Sequence, residues 1–360
     1  MIFLLSCLLI TSWAYSNDNP LVIPTLNTVN AFVADTFFQG RQGQTLFGKY
    51  WNTKFTSYCT ESAFRPNSIN GLDDYLISGR LIFSHDFELF EFNGVLMPDK
   101  SSTLNDVVES SLCIKTPSSE HPLYSDLMRP FTKKIVSFWF DLSVTEEFVR
   151  RNPLSHTGEI VFGGVNPARF TSENYVFTLN HLYEFGVDPI GWITKNPASV
   201  SVESYATQKT STVVFDIGSE ISILPIDMYN AVLGPVRSLV GDQTARKPNL
   251  PSEIASIINE YAGESPLQNI FPCSEAKNLK GFRINQMYVS TEMLVGKLND
   301  RECILRVSPQ KKSDQRDIVF GFHLIKNFHL QIHYNVLGES IAIFSKRKGK
   351  ATCNSCCVIC

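Results

Sequence analysis

Thr212-Val-Val-Phe-Asp216-Ile217-Gly218-Ser219-Glu220-Ile-Ser-Ile-Leu-Pro225 sets a single carboxylate between a β-rich apolar run and a Gly-Ser turn. Val, Val and Phe favour a buried strand, and Gly218 permits a tight turn directly after it. An Asp held at the end of such a strand, flanked by a hydroxyl, is placed to meet water in a cleft and to act as acid or base. Asp-x-Gly-Ser alone is also a common turn sequence, so its meaning rests on what surrounds it.

Two stretches lie upstream, Val136-Ser-Phe-Trp-Phe-Asp-Leu-Ser143 and Gly158-Glu-Ile-Val-Phe-Gly-Gly-Val-Asn-Pro-Ala-Arg-Phe-Thr171. Two lie downstream, Asp317-Ile-Val-Phe-Gly-Phe-His-Leu-Ile-Lys-Asn-Phe-His-Leu-Gln-Ile-His333 and Ser340-Ile-Ala-Ile-Phe344. In this order and at these spacings the set resembles the pepsin-like aspartic peptidases, across roughly residues 135 to 345. The first pair is similar to that family's inter-lobe strand and its Gly-Glu-Leu-x-Phe-Gly-Gly segment. The stretch at Asp216 resembles its second active-site loop, and the last pair its C-terminal block. The resemblance implies a mostly β, bilobal fold, two β-barrel-like lobes around a cleft, and an aspartic-type endopeptidase ancestry with Asp216 catalytic and Gly218 and Ser219 as the supporting turn.

In that family two aspartates, one per lobe, share a proton across a bound water; one activates the water while the other protonates the scissile carbonyl oxygen. Like charges so close cannot both ionise, and the pair titrates as a unit. The first-lobe Asp-Thr-Gly-Ser has no counterpart here: from Thr36 to Leu72 there is no Asp. Aligning Gly40-Arg-Gln-Gly-Gln44 with the family's Gly-Thr-Pro-Pro-Gln puts Trp51-Asn52-Thr53 at the motif; aligning Phe47 instead puts Gly48 there. Phe92-Asn-Gly-Val-Leu-Met97 is similar to the first-lobe Phe-Asp-Gly-Ile-Leu-Gly, with Met97 for the Gly. Ile217 replaces the Thr whose hydroxyl clamps the two loops, and Tyr75, ahead of Ser78-Gly79, is the one candidate for the flap tyrosine. Asp35, Asp73 and Asp74 lack the Gly turn and read as solvated loop carboxylates.

Composition agrees with two lobes. A chain of 360 residues that is 43% hydrophobic can bury one large or two medium cores. Its 26 Phe suit a β-rich interior. A net charge of −3 and a pI near 6.2 offer nothing to nucleic acid. Apolar runs are short, so no membrane span is expected. Gly-rich phosphate loops, His-Glu-x-x-His and Gly-x-Ser-x-Gly are not present, and no cofactor or metal is expected. His323, His329 and His333 lie close in sequence but read as surface or satisfied core histidines.

The one longer apolar segment, Ile2 to Trp13, ends in Ala14-Tyr15-Ser16 and reads as a signal peptide cleaved after Ser16, against the alternative of a buried N-terminal helix or strand. Asn17 to Asn30 is short and lacks basic residues, unlike a zymogen propeptide. Nine cysteines become eight once Cys7 leaves with the signal, as an oxidising compartment favours. Cys273 and Cys303 sit in a context similar to the family's second-lobe disulfide, which the resemblance implies for them; loop-closure entropy makes such a bridge worth about 3 to 4 kcal/mol. Cys59 and Cys113 pair with each other or stay free. The tail runs from Lys346-Arg-Lys-Gly-Lys350 into Cys353, Cys356, Cys357 and Cys360. Disulfides, a soft-metal site and a prenyl box at Cys357-Val-Ile-Cys360 compete there, with disulfides favoured: a signal peptide and cytosolic prenylation are incompatible, and the thiols are cramped for zinc. No Asn-x-Ser/Thr sequon occurs.

The expected organisation is a signal peptide at 1–16, a reduced N-terminal lobe at 17–135, a C-terminal lobe with the inter-lobe strand at 136–345 and a basic, Cys-rich tail at 346–360. The expected function is a secreted or lumenal, catalytically inactive family member whose cleft takes a peptide or protein in extended form. The alternative is an active acid endopeptidase that pairs Asp216 with a second carboxylate such as Asp35 or Glu61 or dimerises to complete the dyad. A chain whose first lobe has lost too much to fold well is a third reading.

Overall fold

Strands dominate the computed structural model, which describes residues 20–26, 31–42, 45–56, 64–66, 76–83, 89–95, 110–114, 128, 131–144, 156–180, 191–203, 209–236, 270–297, 301–310, 318–334 and 340–348. The signal segment, Tyr75, Asp73, Asp74, Glu61, Cys59, Met97 and the cysteine tail lie outside those residues. Among the described residues, no helix is long and apolar enough to cross a membrane.

A six-stranded antiparallel sheet joins the two halves of the chain, in the order Leu21–Leu26, His156–Phe162, Ile135–Phe140, Phe328–His333, Ser340–Arg347, Phe170–Leu179. Period-two alternation explains its two faces. Val136, Phe138 and Phe140 point one way with Ile160, Phe162, Leu330, Ile332 and Phe344, and all are buried. Ser137, Trp139, Glu159, His329, Gln331 and Ser345 share the opposite face. That polar face is closed by specific bonds: Arg169 clamps Glu159 through two hydrogen bonds of 3.0 Å while its guanidinium lies 3.8 Å over Trp139.

The second lobe hangs from this sheet. Its five-stranded layer runs Trp192–Ile193, Val213–Phe215, Ile318–Phe320, Ser222–Leu224, Val307–Pro309, with a four-stranded and a three-stranded sheet beside it. Phe215, Phe320, Phe344 and Phe177 interlock, with ring centroids 4.7 to 6.0 Å apart, and tie that layer to the joining sheet. Pro225 opens the helix Ile226–Leu233, and Gly234, at φ +49°, ends it where a side chain would be strained. Cys273 and Cys303 are bonded, as the family resemblance implies, and pin the Cys273–Asn278 turn to the strand Glu302–Leu305.

The first lobe carries a six-stranded sheet of its own, in the order Phe64–Pro66, Ser110–Cys113, Thr45–Thr56, Val33–Gln42, Leu76–Phe83, Leu89–Val95. It meets the rest of the molecule through aromatic rings. Phe32 lies 5.1 Å from Phe322 and 5.2 Å from Phe138, and Phe55 lies 6.4 Å from Phe162. The sequence alignments that put Trp51-Asn52-Thr53 or Gly48 at an active-site turn are corrected here. Both fall inside one unbroken strand, Thr45–Thr56, where Trp51 pairs with Thr36, Asn52 with Asp35 and Gly48 with Gln39. Asp35 likewise sits in a strand rather than in a loop.

Candidate active site

Asp216 stands at the end of the strand Val213–Phe215, which runs parallel to Ile318–Phe320. The strand is short and apolar, with Val213 and Phe215 fully buried, so the carboxylate arrives where the apolar run stops. Its backbone N–H donates to the Phe320 carbonyl at 3.0 Å, extending the pairing by one residue. The Gly218 N–H donates to Asp216 Oδ1 at 2.8 Å, which orients the carboxylate within its own turn. Asp216 and Ser219 are both buried, at 3% and 4% exposure. The turn predicted from Asp216, Gly218 and Ser219 is thus formed, although the Ser219 hydroxyl donates to the Ile221 carbonyl at 2.8 Å. Ile217 is fully buried in the core.

The loop is fastened to the short helix Phe322–Ile325. Phe322 N–H donates to the Ser219 carbonyl at 2.6 Å, His323 N–H to the Glu220 carbonyl at 3.3 Å, and Gly321 N–H to Ser222 Oγ at 2.8 Å. Gly321 is required at this point: a Cβ on it would stand 2.5 Å from the Ile221 carbonyl oxygen and 2.9 Å from that of Ser219. Beside it, Glu220 Oε1 accepts from Arg306 Nη1 at 3.1 Å and lies 3.3 Å from His323 Nε2. Burial, with Arg306 and then Lys326 nearby, holds the His323 imidazole well below the usual histidine range. The sequence reading left His323 as either a surface or a satisfied core histidine, and it is buried; the one signal for this cluster was an acidic residue, Glu220, close to an apolar run.

The other two histidines also have neighbours within the fold. His329 stacks on Phe170 with centroids 4.5 Å apart, and His333 Nε2 lies 3.0 Å from Gln331 Oε1. Among the described residues no group of three or more His, Cys, Asp or Glu could hold a metal ion.

The family model for the eukaryotic aspartyl protease matches residues 144–344, more than half of the chain. The chain belongs to the eukaryotic aspartyl protease family. The aspartic proteinase from Irpex lacteus is similar in structure, with a TM-score of 0.60 at 10% identity over 93% of this chain and 100% of that one. At that identity the likeness shows the fold, mostly β and bilobal. No curated protein matches the chain by sequence.

Among the described strands the two lobes repeat one pairing scheme. In the second lobe Val214 pairs in parallel, and Ile223 antiparallel, with the same residue, Val319. In the first lobe Phe55 pairs in parallel, and Phe64 antiparallel, with Leu112. The spans are equal: 223 − 214 = 9 and 64 − 55 = 9. Asp216 lies two residues after Val214, and two after Phe55 comes Ser57. The same count sets Cys59 against Gly218, Glu61 against Glu220 and Ile114 against Gly321. Residues 57–63 themselves lie outside the described ones, but the strands that bracket them fix the count. The run Phe92–Met97, read from sequence as this lobe's glycine strand, is corrected by the same pairing. Phe92 to Val95 belong to the hairpin strand Leu89–Val95, paired with Leu76–Phe83, and the strand in the glycine's role is Ser110–Cys113.

Proposed function

We propose that this chain is a catalytically inactive aspartyl protease relative whose cleft receives a peptide or protein segment in extended form. The observation that carries the reading is the equal spacing of the strand pairings in the two lobes, by which Ser57 is counted as the equivalent of Asp216. A serine hydroxyl neither shares a proton with a carboxylate nor ionises in the range where the dyad works. Two further replacements support it. A loop pressed as close to residue 114 as the Asp216 loop is to Gly321 would collide with the Ile114 side chain, which is fully buried. By the same count Cys59 is the sequence equivalent of Gly218, whose lack of a side chain suits a tight turn. Losing one partner of an acid–base pair costs about 10²- to 10⁴-fold in rate. A cleft between β lobes retains the means to bind an extended chain through strand-like main-chain contacts.

The test uses a fluorescently labelled unfolded polypeptide with wild type and Asp216→Ala side by side, from pH 3 to pH 7. Saturable binding is expected, with cleavage no faster in wild type than in the variant. Cleavage that Asp216→Ala abolishes would establish the alternative, in which Asp216 works with another carboxylate such as Asp35 or Glu61. Failure of the polypeptide to bind at any pH would sink the binding half of the reading.

We further propose that the protein is secreted or lumenal. The apolar Ile2 to Trp13 run before Ala14-Tyr15-Ser16 supports this, as does the Cys273–Cys303 disulfide, which persists in oxidising compartments. N-terminal sequencing of material recovered from the culture medium of expressing cells should begin at Asn17. A cytosolic product that retains Met1 would overturn the secretory route and favour the prenyl reading of Cys357.

A further inference from the structure

We propose that the corner of the joining sheet where Arg169, Arg347 and Lys348 meet is an anion site, which takes a tetrahedral oxyanion: sulfate or phosphate, free or as an ester on a larger molecule. The ends of two neighbouring strands, Phe170–Leu179 and Ser340–Arg347, bring these cations together. Phe170 pairs with Arg347, and the Lys348 N–H donates to the Arg169 carbonyl at 3.1 Å. Alternation along the strand turns Arg347 to the polar face that holds Ser345 and Trp139. Both guanidiniums converge there on one ring: that of Arg169 lies 3.8 Å from the centre of Trp139, and that of Arg347 lies 5.3 Å from it.

Arg347 is short of an acid. Its Nη1 donates to a neutral group, the Lys326 carbonyl, at 2.9 Å, and among the described residues no carboxylate lies within ion-pair distance of it. The acids near this corner are committed to other groups. Glu159 accepts from Arg169 twice at 3.0 Å and from Asn166 at 2.9 Å. Asp141 Oδ1 accepts from the Ser143 N–H at 2.9 Å and from its hydroxyl at 2.7 Å, and Glu173 accepts from Lys346 at 3.2 Å and from Tyr175 at 3.0 Å. Lys348 Nζ donates to the Pro167 carbonyl at 2.8 Å. The adjacent strand Phe328–His333 supplies His329, stacked on Phe170, and no acid. A half-buried guanidinium set beside a second one is thus a cation without full compensation. Burial, opposed by Asp141 and aided by Arg169, accordingly brings the Arg347 pKa from 12.5 down to about 10.

An oxyanion supplies what the corner lacks. A guanidinium offers its N–H groups as a planar fork that suits sulfate and phosphate oxygens, and a second cation beside it strengthens the hold. The Arg169 side chain is 35% exposed and Lys348 is exposed, so the corner is open to an ion from solvent. In sequence the basic run goes on to Lys350, as suits a ligand that carries several such groups.

Calorimetric titration of the intact chain with inorganic sulfate, inorganic phosphate and dextran sulfate, at constant ionic strength, tests the site. Wild type is expected to bind saturably, and Arg347→Gln to bind about tenfold or more weakly, the effect of losing a hydrogen bond to a charged group. Lys297→Gln removes an exposed charge elsewhere and should keep the wild-type affinity. Inorganic ions that bind as tightly as dextran sulfate identify a free ion as the ligand, whereas tighter binding of dextran sulfate identifies a group carried on a polymer. No saturable binding of any probe by wild type, or equal binding by wild type and Arg347→Gln, overturns the proposal. Should Arg347→Gln not fold, Lys348→Gln takes its place, since it changes only an exposed side chain. Affinity several-fold below wild type then upholds the site, and unchanged affinity overturns it. The outcome is separate from that of the cleft, because the corner lies on the polar face of the joining sheet and not on the Asp216 loop.

Discussion

Unfolding free energy is expected to fall by about 3 kcal/mol between pH 7 and pH 4 through His329 alone. The ring is buried on the polar face of the joining sheet, stacked on Phe170, with Gln331 Nε2 3.4 Å from its Nδ1. Burial, then the Arg347 and Arg169 guanidiniums, push its pKa from 6.5 down to about 3. Between those values the unfolded chain binds a proton that the folded chain refuses, so stability is complete above pH 6.5 and drains away as the pH drops toward 3. His323 acts in the same direction for the same primary reason. Urea unfolding of wild type and His329→Gln at pH 7 and pH 4 isolates the effect, because carboxylate contributions cancel in the double difference. Wild type should lose about 3 kcal/mol more than the variant. Equal losses would mean that the imidazole is already protonated in the fold. Against a typical total of about 5 to 15 kcal/mol, a loss of that size is a substantial fraction of the stability.

How far the fold was legible in the sequence can be traced residue by residue. The Asp216 turn was readable because the second lobe keeps each feature that makes it: apolar strand, carboxylate, glycine, then a proline that opens a helix. The Cys273–Cys303 bridge followed from its similar context. The proposed equivalence of Ser57 and Asp216 was not readable, and the reason is chemical. On that proposed equivalence Ser57 and Cys59 take the places of Asp and Gly, neither of the two residues that mark the turn in sequence is there, and alignment slides toward Trp51 and Gly48, into the middle of a strand. Only the pairing of Phe55 and Phe64 with one residue, Leu112, restores the count. The misreading of Phe92–Met97 has the same origin: a glycine with apolar neighbours suits a hairpin strand as well as a strand paired in parallel, as Ser110–Cys113 is. The ion cluster of Glu220, Arg306 and His323 joins residues 86 and 103 apart in sequence, and no local pattern encodes such a contact.

Phe215→Ala is expected to cost about 3 to 5 kcal/mol, the range for removing a buried aromatic ring from a core that cannot close over the gap. Phe215 is fully buried and touches three other rings, with centroids 4.7 Å from Phe344, 5.2 Å from Phe177 and 6.0 Å from Phe320. These neighbours come from the joining sheet and from the paired strand, so none can move into the cavity without breaking register with its own partners. Edge-on aromatic pairs add about 0.5 to 1.5 kcal/mol each beyond the area they bury, and two of the three contacts here are edge-on. Val22→Ala is the matching control: Val22 is 45% exposed on an edge strand, and its change should stay within about 0.5 kcal/mol. Urea midpoints, with the slope unchanged, give both values. A Phe215→Ala loss below about 1 kcal/mol would show that the four rings do not interlock as described. Because Phe215 immediately precedes Asp216, the same substitution should also loosen the turn that the Gly218 N–H closes, which makes this ring the link between the core of the second lobe and the Asp216 carboxylate.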